Sequence, residues 1–325
     1  MTNIAPLVRN ETLKILRRRR FMTVIAIIVS IMSVIAYSQY RQLQRKNQNW
    51  RADVQREIAE YQNRIRRGNI NSSWSRSLRA EIARLQYYAD HGIDPERPTA
   101  PFFARNFANA AGFLLLPLLI GVLASDIVSA ENAEGTDKLL LTRPVRRWKV
   151  LFSKMITVYM FAILTLLCGG LIAYGISSLL LDPRGWGAPV FTGFKLSSTG
   201  IDLESVRQLP MWQDALIAYG LEAFAMIVVA SVALMLSVLF KSTAGSIGTM
   251  LAALIGGTIL TRMSPDWVAG KYLFVTALPL ADYYSGDPPP YEGMSLEFCI
   301  VLLAAWAIGA LIVAYSVFTR RDVFG

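Results

Sequence analysis

The chain has 325 residues, of which 54% are hydrophobic and 17% charged, with a formal net charge of +10. A soluble chain carries nearer a quarter charged residues, and here the apolar residues gather in runs of the roughly 20 needed to cross a bilayer. One histidine, His91, and two cysteines, Cys168 and Cys299, both inside apolar runs, exclude a metal centre rich in imidazoles and a disulfide framework.

Residues 1–20 hold six basic residues and one acid, ending in Arg17–Arg20. Ile4, Leu7, Val8, Ile15 and Leu16 are apolar, while Arg9 and Lys14 are polar. This spacing predicts an amphipathic helix in the membrane interface, meeting anionic lipid headgroups; a disordered basic tail is the alternative. No A-x-A-like site follows the first apolar run, which is therefore read as a retained anchor.

Six spans follow, at about Phe21–Tyr40, Phe107–Ala130, Leu151–Leu181, Gln213–Phe240, Gly245–Arg262 and Leu296–Phe318. The arginine cluster before Phe21 places the N-terminus in the cytoplasm, and six crossings return the C-terminus there. The chain thus divides into the interfacial helix 1–20, the first span 21–40, an extracytoplasmic segment 41–106, and a remainder 107–325 with a cytoplasmic segment 131–154 and a re-entrant outer segment 263–295. Segment 41–106 carries 13 basic and seven acidic residues, but loops this long translocate largely regardless of charge. The charge asymmetry reports orientation, not nucleic-acid binding.

In segment 41–106, Trp50, Val54, Ile58, Tyr61 and Ile65 form one helical stripe, and Trp74, Leu78, Ile82, Leu85 and Tyr88 another, with a polar turn between them. They predict a helical hairpin whose stripes are its core, or else a face for a partner. The fold class expected is an all-α polytopic membrane protein with six transmembrane helices, an N-terminal interfacial helix and this extracytoplasmic hairpin. The small residues Gly245, Gly248, Gly256 and Gly257 place the fifth span inside the bundle. Tyr272–Leu280 is too short to cross and is interrupted by Pro279, so it reads as a re-entrant piece or as a loop lying on the bilayer.

No enzyme constellation assembles. There is no GxxxxGK[ST], GxGxxG or GxSxG, so no catalytic residue, metal ligand or cofactor site is assigned. Asp126 and Asp214 lie near span ends, where they could reach water. Glu222 lies deeper, as a pathway candidate or a structural interhelical hydrogen bond.

Segment 131–154 is the most patterned. Glu131 and Glu134 share a helix face, Gly135 permits a change of direction, and Thr136 can cap the next helix. Pro144 breaks the chain before a basic run at Arg146, Arg147 and Lys149. An ordinary positively charged loop is the alternative. Glu131–Thr136, then Leu139–Leu141, Arg143, Pro144, Arg146 and Arg147, ending at Lys154, resemble the signature of type 2 ABC transporter permeases. That resemblance implies a coupling region that docks on a separate ABC ATP-binding subunit carrying ATP and Mg. Glu131, Glu134, Gly135, Thr136, Arg143, Pro144, Arg146 and Arg147 would be the docking residues, and a second permease copy or sister chain would complete the assembly. It implies a permease subunit exporting a lipid, peptide or hydrophobic compound. Two other readings stand: a non-transporting ABC-type subunit passing force through the hairpin to an extracytoplasmic partner, and a membrane scaffold.

Overall fold

A computed structural model of the chain describes residues 4–17, 19–45, 49–68, 72–95, 99–133, 146–197, 200–202, 206–264, 267–287, 289–291 and 293–320. Helix α1 (Ile4–Arg17) leads into α2 (Arg20–Arg45), which continues beyond Tyr40, where the first span was expected to end. The segment expected as a hairpin forms α3 (Trp50–Arg66) and α4 (Ser72–Asp90), packed on each other. Val54, Leu78, Ile82, Leu85 and Tyr88 are buried, so these stripe residues serve as core.

The second span starts earlier than its apolar run suggests. In α5 (Ala100–Phe113), Thr99 caps the helix by accepting from the Phe102 N–H at 3.4 Å, and Pro101 occupies the first turn. After α5 the chain bends by 58° into α6 (Leu115–Ser125). Pro117 accounts for the bend: it has no N–H for the Phe113 carbonyl four residues back, and its ring crowds that position. A short α7 (Ser129–Ala133) follows.

The next span is α8 (Arg147–Ser178), whose 32 residues extend about 48 Å, longer than a hydrocarbon core of about 30 Å. Between it and α9 (Met211–Leu239) the chain forms two small antiparallel pairs that the sequence reading left unassigned. Strand β1 (Pro189–Thr192) pairs with β4 (Arg207–Pro210), and β2 (Lys195–Ser197) with β3 (Gly200–Asp202). They carry the aromatic floor on which the hairpin rests.

Helix α9 is the axis of the bundle: 72% of its most apolar window is buried, against 22% for α10 (Thr243–Met263) and for α13 (Leu296–Arg320). The expectation that the fifth span lies inside the bundle is therefore corrected. Helix α10 is peripheral, inserting Ser246, Met250, Leu254 and Thr258 along one line while Gly248, Ala252 and Gly256 face outward. Small residues there leave backbone uncovered rather than bringing it close to α9.

After α10, a 3-10 turn (Val268–Tyr272), α11 (Phe274–Ala277) and α12 (Leu280–Ser285) fold back into the bundle. Phe274, Val275, Ala277, Leu278, Leu280 and Ala281 are all buried, and the Trp306 indole N–H of α13 donates to the Tyr272 carbonyl at 3.0 Å. A loop lying on the bilayer would not bury these residues. The chain is thus a helical membrane protein with five helices long and apolar enough to cross, or six when the bent α5–α6 pair counts as one span.

Candidate functional site

At the end of the bundle nearest the N-terminus, four charges from three elements meet. Lys154, in the second turn of α8, is wholly buried. Its ammonium lies 2.9 Å from Glu11 Oε2 and 2.7 Å from Glu131 Oε1, and donates to the Ile127 carbonyl at 3.0 Å. Lys14 lies 2.9 Å from Glu11 Oε1 and 2.6 Å from Glu131 Oε1. Two ammonium groups thus face two carboxylates, and the cluster is neutral as a whole. Neutrality matters because an unpaired charge this deep costs several kcal/mol. Burial works to lower Lys14, but the bonds to Glu131 and Glu11 outweigh it and hold its ammonium above the usual lysine range.

A second tie runs beside the first. Arg20, at the start of α2, pairs with the buried Asp126 at the end of α6. The backbone N–H groups of Val128 and Ser129 then donate to Ser237 Oγ of α9 at 2.9 and 3.0 Å. The α6–α7 corner is therefore fastened to α1, α2, α8 and α9. The described chain leaves this corner at Ala133 and returns at Arg146.

The opposite end, which carries the hairpin, has its own polar group. Arg105 of α5 pairs with the wholly buried Asp214 of α9 and donates to Ser285 Oγ at 2.7 Å. Arg84 of α4 lies 2.9 Å from Glu81 and 3.4 Å from Asp287 after α12. Tyr88 donates its hydroxyl hydrogen to the Phe191 carbonyl at 3.2 Å and accepts the Phe191 N–H at 3.0 Å, while Tyr87 stacks edge-on against Phe191 and Phe194. Asp282 of α12 is pushed up to about 7, chiefly by burial and then by Asp287, with Arg105, Arg84 and the Asn109 side chain opposing.

Residues 77–324 match a family described as protein of unknown function, DUF2705. The chain belongs to this family. It is 29% identical over 322 residues to the uncharacterized protein YhcI of Bacillus subtilis, covering 98% of each chain. It is 30% identical over 214 residues to the uncharacterized membrane protein YdbK of the same organism, covering 65% of this chain and 78% of that one. The family and these relatives do not indicate an ABC permease family, so the resemblance to type 2 ABC transporter permeases is corrected. The structure gives a physical reason why two ends of that signature are misleading: Glu131 and Lys154 answer each other inside the protein.

Of the residues expected to dock a partner, Glu134, Gly135, Thr136, Arg143 and Pro144 lie outside the described residues. Glu131 is not an exposed docking carboxylate: it is 9% exposed and engaged with both lysines. Arg146 is exposed at the N-cap of α8, and Arg147 donates to the Thr319 carbonyl of α13 at 3.3 Å. Asp126 and Asp214, read as reaching water, are buried and paired. Glu222 is wholly buried, and neither of its carboxylate oxygens has a hydrogen-bond partner among the described residues, so the structural hydrogen bond considered for it is not made.

Sequence reasoning overlooked Glu11 and Arg20, which it treated as part of an interfacial charge pattern. A glutamate in a helix whose other charges are all basic, and a single lysine, Lys154, in the apolar run after Lys149, were the available signals. Among the described residues, no group of three or more His, Cys, Asp or Glu side chains is placed to hold a metal ion.

Proposed function

We propose that this chain is the membrane-embedded subunit of a transporter, worked mechanically by a separate ATP-hydrolysing subunit that engages the segment between Ala133 and Arg146. The observation that carries this reading is the four-charge cluster of Glu11, Lys14, Glu131 and Lys154. It anchors the root of that segment to α1 and α8 together, so a push on the segment moves the bent second span and the third span as one piece. A partner can shift such an element only through contacts that differ between its two positions, and the exposed Arg146 is available for one. In this reading ATP and Mg belong to the partner.

The basic N-terminal flank supports a cytoplasmic N-terminus in the cell membrane, with the hairpin outside. The exposed Leu13 and Leu16 of α1 suit contact with lipid. The outward face of α10, with Gly248, Ala252 and Gly256 one turn apart, suits close packing with a second copy or a sister subunit. An apolar bundle with few charges suits a lipid, a peptide or a hydrophobic compound as cargo. A second reading, force passed to an extracytoplasmic partner without transport, draws support from the Arg84–Asp287 and Tyr88–Phe191 contacts, which fasten the hairpin to the bundle.

Purification of the full-length chain from native membranes in mild detergent, after brief crosslinking, tests the proposal. An ATP-hydrolysing protein that co-purifies, with crosslinks to residues 133–146, is the expected result. Recovery without any nucleotide-binding partner would overturn it. Deleting residues 50–90 separates the two readings: loss of an outer partner with export intact favours force transmission.

A further inference from the structure

The Glu222 carboxyl lies against Gly112 of α5: a Cβ built on that glycine would fall 2.2 Å from one carboxylate oxygen and 2.8 Å from the other. A metal ion or an organic cation therefore has no space on that side. The Ala281 amide is turned towards Glu222 but lies outside hydrogen-bonding geometry, and the charged group facing it is another acid, Asp282. The other acids buried in the spans differ. Asp126 has Arg20, Glu131 has Lys14 and Lys154, and Asp214 has Arg105.

The hydrogen-bond inventory points the same way. Asn109 lies one turn before Gly112 on α5 and beside Asp282, and its Oδ1 is a buried acceptor with no donor among the described residues. With the two Glu222 oxygens, that makes three buried acceptors without a hydrogen-bond partner among the described residues, while the Asn109 side-chain amide N–H serves Asp282 instead. Buried polar atoms in native proteins are rarely left this way, and a bare carboxylate is far more costly to bury than a neutral carboxylic acid. One proton on either acid converts an acceptor into the missing donor and removes the repulsion between the two carboxyls.

We infer that Glu222 and Asp282 form a proton-binding pair at the hairpin end of the bundle. Asp282 is the member nearer the water, since Asp287 and Arg84 beside it are both partly exposed, so protons exchange through it. The groups facing Asp282 are Asp287, Arg84 of α4, Arg105 and Asn109 of α5, and Tyr283 on its own helix. The two arginines keep Asp282 close enough to ionisation to release its proton near neutrality. This site is independent of the mechanical role proposed above, since it lies at the other end of the molecule.

Infrared titration of the full-length protein in lipid nanodiscs tests the pair through the carbonyl stretch of a protonated carboxylic acid. Above pH ~6, where ordinary side-chain carboxyls are ionised, wild type should retain such a band. Glu222→Gln should remove most of it, and Asp282→Asn should abolish the component that titrates near neutrality. A wild-type spectrum without a protonated carboxyl above pH ~6 overturns the inference, whatever the variants do. A titration unchanged in Asp282→Asn overturns the pairing. If Glu222→Gln does not fold, the wild-type and Asp282→Asn titrations still decide.

Discussion

Lys154, wholly buried near the base of α8, donates to Glu11 of α1 at 2.9 Å across 143 residues of sequence. The bond makes α1 a structural part of the bundle, because neither charge has water as an alternative partner. Removing one member strands the others. Lys154→Met should lower stability by about 3–5 kcal/mol, the usual penalty for breaking a buried pair. The double variant Glu11→Gln/Lys154→Met should be less damaged than the sum of the single changes. Lys14→Ala should lose less than Lys154→Met, because Lys14 is partly solvated. Thermal unfolding of the purified protein in one detergent measures all four. Additive effects at Glu11 and Lys154 would show that the pair is not coupled.

Asp282 sets a pH dependence of stability with a definite sign. In the folded chain its carboxyl keeps its proton up to about 7, whereas an unfolded aspartate loses it near ~3.9. Between those values the folded state holds more protons than the unfolded state, so stability falls as pH rises through this window and levels off above it. Asp282→Asn should flatten that part of the profile. Melting temperatures measured at closely spaced pH values from about 4 to 8 give the slope, and equal slopes in wild type and variant would contradict the assignment.

The spans and the hairpin were legible in the sequence because each rests on one local pattern. A long apolar run marks α8, α9 and α13, and a four–four–three–four stripe marks α3. The register of α10 was misjudged for a physical reason: small residues permit close packing wherever they point, and its Met250 and Leu254 face, not Gly248 and Gly256, meets the bundle. The charge cluster was harder still. Glu11, Glu131 and Lys154 are separated by 120 and 23 residues, and nothing local distinguishes a glutamate aimed at lysines inside the bundle from one aimed at a partner outside it. Asp282 and Glu222 posed the same difficulty, since their meeting depends on α12 folding back against α9.

The hairpin should be fixed to the bundle by one hydroxyl more than by its charges. Tyr88 gives and receives a hydrogen bond at Phe191, both buried, whereas the Arg84–Asp287 pair is partly exposed and long at 3.4 Å. Tyr88→Phe leaves the Phe191 N–H and carbonyl without that partner, at a cost of about 1–3 kcal/mol. Asp287→Asn should cost under about 1 kcal/mol, as for other exposed pairs. Limited proteolysis within residues 41–98 reports hairpin release. Faster cleavage in Asp287→Asn than in Tyr88→Phe would reverse this ranking.

Two glycines on the hairpin side provide a matched comparison of backbone strain and space. Gly286, which ends α12, has φ +93°, and Gly293 has φ +80°. Both conformations disfavour a side chain, by about 1–3 kcal/mol for a residue other than glycine. Their surroundings differ. A Cβ at Gly286 would lie 2.1 Å from the Phe194 carbonyl oxygen, a backbone atom that cannot rotate away, whereas one at Gly293 would meet nothing within 4 Å. Gly293→Ala should therefore show the conformational penalty alone, with a small fall in melting temperature and an unchanged hairpin. Gly286→Ala must also push the β1–β2 connection carrying Phe194 off α12, which loosens the Tyr87–Phe194 contact and the floor beneath α4. It should unfold several degrees below Gly293→Ala and expose the hairpin to protease. If the two alanine variants melt together, the close approach of Gly286 to Phe194 is not a feature of the protein in solution.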